Sequence, residues 1–274
     1  MRKVIIAFDG RNYSHSALEF ARFLNEENPL LLTAVFAPNL SFAGSFVYPT
    51  ELPVSSAYPL LDDSVIEETE KNAAHFSEFC ARHGIEYRIH KDISDFALPE
   101  LRYESRFADL MLVDSRSFYS HPEKQEISEL FEEVLHIAEC PVVILPSTFE
   151  VPQQVVLAYD GSEDSVYAIK QFAYLFPEFV SRPCLLVYAN AIVRKDVPDL
   201  SNIGELVSRH FGDLSIEKLE MMPQRDFAGW LAGKRSPLLV TGSFGRSSVS
   251  RLFKKSFIND VIQYSGTSIF VAHR

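Results

Sequence analysis

Residues 4–10 read Val-Ile-Ile-Ala-Phe-Asp-Gly, and residues 155–161 read Val-Val-Leu-Ala-Tyr-Asp-Gly. An apolar run that stops on Asp-Gly is the mark of a buried strand entering a turn, and here it occurs twice, 151 residues apart. More follows in the same order. Asp95-Phe96-Ala97 returns as Asp226-Phe227-Ala228, and Leu110-Met111-Leu112-Val113 as Leu238-Leu239-Val240-Thr241. Pro141-Val142-Val143-Ile144-Leu145 returns as Thr267-Ser268-Ile269-Phe270-Val271. The offsets fall from 151 through 131 and 128 to 126, so the second copy has kept the order and shed loop length. The largest excess in the first copy is Pro38 to Leu61. The pattern reads as a tandem duplication, with copies at 1–147 and 153–274. Their join lies near Pro146 to Gln153, where Pro, Ser and Thr interrupt two apolar runs.

Within each copy, short β-branched runs alternate with segments of helical spacing. The first copy predicts strands near 3–8, 30–36, 85–89, 109–113 and 141–145, and the second near 154–159, 184–189, 214–219, 237–241 and 267–271. Between the first two runs, Ala17, Phe20, Ala21 and Leu24 fall on one helical face. Runs without strict alternation predict strands covered on both faces. Strands in series with helices predict a parallel sheet with right-handed crossovers. The expected fold class is therefore α/β: two doubly wound, five-stranded parallel-sheet domains in tandem. In such sheets, ligands bind beyond the carboxyl ends of the strands.

The bulk composition removes several classes. Among 274 residues, 47% are hydrophobic and 23% charged, as in ordinary globular proteins. The most apolar stretch, Leu30 to Ala37, is too short to cross a bilayer, and the apolar run of the amino terminus ends at Asp9. A cytoplasmic protein without a membrane partner is expected. A net charge of −11 opposes a role as a nucleic-acid binder. Cys80, Cys140 and Cys184 are far apart and form no C-x-x-C pair, so they predict small buried side chains in a reducing compartment. The eight histidines show no metal-ligand spacing; His83 and His90 flank a predicted strand and are expected at the surface. Phe227 and Trp230 are expected to pack a helix of the second copy against its sheet.

The candidate site lies in the second copy. Asp160-Gly161 ends its first strand, and Ser162-Glu163-Asp164 offers a cap and acids to a helix start. The Asp160 carboxylate is placed to bond a ligand hydroxyl or amino group. After the fourth strand comes GSFGRSSVSRLFKKSF, residues 242–257. It is neither a Walker loop nor G-x-G-x-x-G. It does carry Gly242 at the strand end and Gly245 three residues on, glycines that let backbone N–H groups turn toward an anion. From Phe227 to Asn259 there are six basic residues (Lys234, Arg235, Arg246, Arg251, Lys254 and Lys255) and no acid. In the first copy the matching positions oppose an anion: Asp114 stands for Gly242, Ser117 for Gly245, Glu129 for Lys255 and Leu130 for Ser256.

These features resemble the universal stress protein family, here as two domains in one chain. The likeness rests on V-x-x-A-x-D-G-S at Val155 to Ser162 and on the family's G-x-x-G, nine residues, then G-[ST], which falls here on Gly242, Gly245 and Lys255-Ser256. It rests also on the closing strand after Ala-Glu-Cys-Pro or Gly-Thr. The resemblance implies an adenine nucleotide alpha hydrolase-like fold and ATP in the second domain only, with Mg accompanying it. By that likeness Asp160 faces the adenine or ribose, Gly242 and Gly245 frame the phosphates, and Ser256 adds the terminal hydroxyl; Gly161, Ser243, Arg246 and Lys255 are expected in the same nucleotide site. Lys255 stands where the family has a third glycine. The resemblance further implies that strands 141–145 and 267–271 pair inside the chain as a built-in pseudo-dimer, and it allows a homodimer of whole chains.

Three functions compete on this reading. The first is a stress-response or signalling module that binds ATP or another adenine nucleotide. The second is a protein-interaction scaffold with degenerate sites, for which the aromatic-rich segment 38–61 is the contact surface. The third is a weak ATPase or hydrolase. Ser243, Asp260 and His273 follow hydrolase order, but Thr241 replaces the first glycine of a nucleophile elbow, and His273 is the penultimate residue. No catalytic residue and no metal ligand is assigned.

Overall fold

The structure is a computed structural model that describes residues 1–9, 12–37, 63–91, 97–115, 119–121, 126–127, 129–190, 196–220, 224–242, 261–262 and 266–273. Its contacts divide the chain into two compact units, Met1–Cys140 and Pro141–Arg274.

In the first unit the order is β1 (Arg2–Phe8), α1 (His15–Glu27), β2 (Leu30–Phe36), α2 (Asp63–Arg82), β3 (Glu86–Lys91), α3 (Ala97–Arg106) and β4 (Leu110–Asp114). A short antiparallel pair follows, β5 (Tyr119–His121) with β6 (Glu126–Ile127), and then α4 (Glu129–Ile137). Strands β4, β1, β2 and β3 lie side by side in that order, all parallel. Every residue from Val4 to Phe8 is buried, as expected of a strand covered on both faces. Helix α1 begins where the Ser14 side chain accepts a hydrogen bond from the Ala17 N–H at 3.3 Å. It buries the stripe Ala17, Phe20, Ala21 and Leu24 that its spacing predicts.

In the second unit the order is β7 (Val142–Leu145), β8 (Gln154–Ala158), α5 (Glu163–Leu175), β9 (Cys184–Asn190), α6 (Leu200–His210), β10 (Leu214–Glu220), α7 (Gln224–Ala232), β11 (Pro237–Thr241) and β12 (Ser268–Val271). Strands β10, β9, β8, β11 and β12 are parallel in that spatial order. Strand β7 joins β12 in antiparallel register, with Ile144 opposite Ile269 and Val142 opposite Val271. The pairing expected between strands 141–145 and 267–271 is therefore present, inside the second compact unit. Phe172, Phe176, Phe179, Phe211 and Phe270 form an aromatic cluster in its core, with ring centroids 5.0–6.4 Å apart for the pairs in contact. Each such ring contributes about 1.5–3 kcal/mol by leaving water.

All ten predicted strands occur, and the first strand of each sequence copy lies between that copy's second and fourth, β1 between β2 and β4 and β8 between β9 and β11. The registers agree as well: Val4 lies opposite Leu110, and Val155 opposite Leu238. Position 114 of the first sheet thus corresponds to position 242 of the second.

Candidate functional site

In the second unit, α5 starts directly beyond β8. The Ser162 side chain accepts from the Ser165 N–H at 3.1 Å, and Asp160 Oδ1 accepts from the Ser162 N–H at 2.9 Å. Asp160 therefore shapes the turn with one oxygen. Gly161 holds φ at +84°, a conformation that favours glycine, and the Pro198 ring lies over it. A β-carbon at 161 would come within 2.9 Å of that ring.

Gly242 follows β11 and is buried against the first turn of α5. A β-carbon there would lie 2.6 Å from the carbonyl carbon of Asp164 and 2.6 Å from the N–H nitrogen of Ser165. The glycine is thus required by backbone-to-backbone packing, a reason separate from any phosphate. The same contact brings the strand end to the helix N-terminus, where backbone N–H groups carry a partial positive charge. Among the expected site residues, the structure brings together Asp160, Gly161 and Gly242, while Ser243, Gly245, Arg246, Lys255 and Ser256 lie outside the described residues.

The basic island is less concentrated than its sequence suggests. Lys234 and Arg235 precede β11, at the opposite end of that strand from Gly242. Five strand residues at about 3.3 Å each separate them from it. The Lys234 ammonium lies 4.2 Å from the centre of the Trp230 ring and 3.9 Å from Glu217. Trp230, expected in the core, is only half-buried and serves as that platform.

A cleft of about 510 Å³ opens between α5 and α6. Tyr159, Gly161 and Ser162 form its end nearest the sheet, Glu163 and Val166 its α5 side, and Asp199, Asn202, Ile203 and Leu206 its α6 side. The Tyr159 hydroxyl donates to the Pro198 carbonyl at 3.0 Å. Burial pushes that phenol's pKa up, and the Asp199 and Asp160 carboxylates add to the shift. Asp199 occupies the N-cap of α6 with φ 45° and ψ 37°, left-handed for a residue other than glycine, and its side chain makes no capping bond.

The first unit fills the corresponding ground with its own atoms. Asp114 is 2% exposed, and its Oδ2 accepts from the Ser14 hydroxyl at 3.1 Å and from the Ser16 hydroxyl at 3.4 Å. A carboxylate thus sits at the start of α1, where Gly242 leaves only backbone at the start of α5. Both Asp9 oxygens are engaged as well: Oδ1 accepts from the Asn12 N–H at 2.8 Å and Oδ2 from the Asn12 side-chain amide at 2.7 Å. The turn from Asp9 to the Ser14 cap is three residues longer than that from Asp160 to Ser162, and it delivers Tyr13 onto Phe8, ring centroids 6.2 Å apart. Burial pushes the Tyr13 phenol up to about 12, with a further upward push from Cys80. Asn12, Tyr13, Ser14 and Ser16 were not singled out by motif. The longer turn was the one signal of them visible in the sequence.

Neither of the two units has a matching family model, and no curated protein matches the chain. Solved structures do. A universal stress protein from Archaeoglobus fulgidus DSM 4304 superposes over 100% of this chain and 96% of its own, with a TM-score of 0.68 at 16% identity. A candidate universal stress protein from Pseudomonas aeruginosa UCBPP-PA14 covers 100% of this chain and 93% of its own, with a TM-score of 0.56 at 12% identity. The fold is that of the universal stress proteins. It is the α/β, mostly parallel architecture that the strand order predicts, and it puts the Asp160 turn and Gly242 at the carboxyl ends of neighbouring strands. Among the described residues, no helix is long and apolar enough to cross a membrane.

Proposed function

We propose that the chain is a cytoplasmic stress-response or signalling module of the universal stress protein kind, built by tandem duplication. In this reading the second unit binds an adenine nucleotide, and the first supports it without binding. Asp160 meets the base or ribose, and Gly242 opens the helix N-terminus to the phosphates. Ser243, Gly245, Arg246, Lys255 and Ser256 complete the anion site from the loop, and Mg accompanies ATP.

One contrast carries this reading. At corresponding positions, Asp114 puts a carboxylate at the start of α1, whereas Gly242 brings backbone and no side chain to the start of α5. An anion is repelled from the first place and welcomed at the second.

The test is thermal unfolding with and without millimolar Mg-ATP, beside an assay of nucleotide carried through purification. Saturable stabilisation is expected, since a ligand at 100 times its Kd adds about 2.7 kcal/mol. Lys255→Glu, which copies the first unit, should remove the effect. Gly242→Asp is a poorer probe, because any β-carbon at 242 meets backbone. If Mg-ATP produces no shift, the nucleotide reading fails and the scaffold reading takes its place.

A further inference from the structure

The second unit's sheet ends on β10, and among the described residues no strand pairs with its outer edge. An open edge invites a further strand, and proteins ordinarily guard it with charge. Strand β3, which ends the first unit's sheet, follows that rule: Glu86, Arg88 and His90 are exposed on one of its faces. Strand β10 departs from it. Near its middle stands Ile216, a β-branched aliphatic side chain left 43% exposed between Ser215 and Glu217.

The main chain of this edge is oriented to pair. The Cys184 N–H donates to the Asp213 carbonyl at 2.7 Å, so residue 213 turns its main-chain groups toward β9. In a regular strand these directions alternate, and the register with β9 is unbroken from Leu214 to Glu220. The N–H and C=O groups of Leu214, Ile216 and Lys218 therefore point outward.

The sequence of β10 then selects an occupant. A second copy adding by antiparallel pairing is related by a two-fold axis, and the axis must pass at a residue for each side chain to keep its face of the sheet. At Glu217 or Lys218 it would set like charges against each other. At Ile216, five residues of each strand overlap, Leu214 to Lys218; at any remaining residue of β10, three or fewer do. The Ile216 axis sets Ile216 against its twin, Ser215 opposite the partner's Glu217, and Leu214 opposite the stem of the partner's Lys218. No like charges meet. Both main-chain hydrogen bonds are exchanged at Ile216 and at each pairing of Leu214 with Lys218.

The geometry points to a homodimer edge: two copies of the chain pair antiparallel through β10, about Ile216. Each chain carries a net charge of −11, so repulsion opposes the association and salt strengthens it. This surface is independent of the nucleotide reading and uses none of its residues.

Sedimentation velocity of the nucleotide-free full-length protein, over roughly a hundredfold range of concentration at low and moderate salt, tests the proposal. A monomer–dimer equilibrium is expected, tighter at the higher salt. Ile216→Lys sets two ammonium groups together and should weaken it at least about tenfold. Ser215→Glu, opposite the partner's Glu217, should weaken it, and Ser215→Lys should tighten it. Opposite responses at one exposed position do not arise from misfolding. Ile216→Cys should give a covalent dimer on mild oxidation, because α-carbons facing each other in a hydrogen-bonded pair lie about 5.5 Å apart, within disulfide reach. Ser208→Cys, exposed on α6, should not. A monomer at every concentration overturns the proposal. So does a dimer indifferent to Ile216→Lys, a shift in the same direction from both Ser215 variants, or Ile216→Cys without a cross-link. Stabilisation by Mg-ATP is read separately, so either reading can fail alone.

Discussion

The carboxylate of Asp114 accepts a hydrogen bond of 3.1 Å from the hydroxyl of Ser14, the residue that caps α1. One hundred residues of chain separate the two, and their contact ties the end of β4 to the start of the helix after β1. Asp114 also accepts from Ser16, so one buried oxygen serves two hydroxyls at a helix end of partial positive charge. In the second unit Gly242 stands at the corresponding place, and backbone packs on backbone.

Asp114→Ala should therefore destabilise the protein by about 1–3 kcal/mol, the usual cost of leaving buried polar groups without their partner. Urea unfolding measures it. Asp114→Asn keeps an acceptor oxygen and should recover part of the loss. Equal stability of the parent and Asp114→Ala would show that the contact holds nothing.

Two glycines of the second unit should respond in opposite directions. Gly242→Ala puts a β-carbon 2.6 Å from the α5 backbone and should cost about 1–3 kcal/mol through overpacking. Gly229 lies inside α7, and a β-carbon there meets nothing within 4 Å. Gly229→Ala should gain about 0.5–1 kcal/mol. Thermal unfolding of the two variants side by side checks the pair. A neutral Gly242→Ala would mean that α5 shifts away without penalty.

The sheets were legible because their cause is local. Runs such as Val4–Phe8 and Leu238–Thr241 are apolar without alternation, and that alone places them inside a two-sided sheet. Helix starts were legible for the same reason, as Ser162 followed by Glu163 and Asp164 shows. The candidate site was legible only in part. Gly242 drew notice as a glycine at a strand end, but its packing partner is Asp164, 78 residues earlier, and no spacing rule connects them. Asp114 was readable as hostile to an anion from its charge alone. That it accepts from the Ser14 and Ser16 hydroxyls at a helix start required the fold. Lys234 misled for a related reason: its nearness in sequence to Gly242 hid a whole strand between them.

Glu139 gives a prediction about pH. Its Oε1 accepts from Arg102 and Arg106, and its Oε2 from Arg106 at 2.6 Å. These bonds, Arg106 first and Arg102 next, lower its pKa from the ordinary 4.5 to about 2. A lowered folded value means that the contribution to stability is complete above about 4.5 and is lost as pH falls through about 2. Carboxyl NMR titration should find Glu139 still ionised at pH 3. Removing both partners, Arg102→Ala with Arg106→Ala, should return its midpoint to the usual carboxylate range. A midpoint near 4.5 in the parent protein would show that the ion pair does not persist in water.

The three thiols give the last prediction. Cys80, Cys140 and Cys184 are all buried, with no disulfide between them. Loss of hydration pushes each pKa up to about 12, and nearby Asp109 and Asp213 add to this at Cys140 and Cys184. At pH 8 the thiolate fraction is then about one in ten thousand, and iodoacetamide reacts with the thiolate. Native protein should therefore gain no adduct in an hour by intact mass, whereas protein in denaturant should gain all three. The cysteines lie on α2, between α4 and β7, and on β9, so each reports on a different part of the two sheets. A single adduct on native protein, located by peptide mapping, would identify the element that opens on that timescale and refute burial at that thiol.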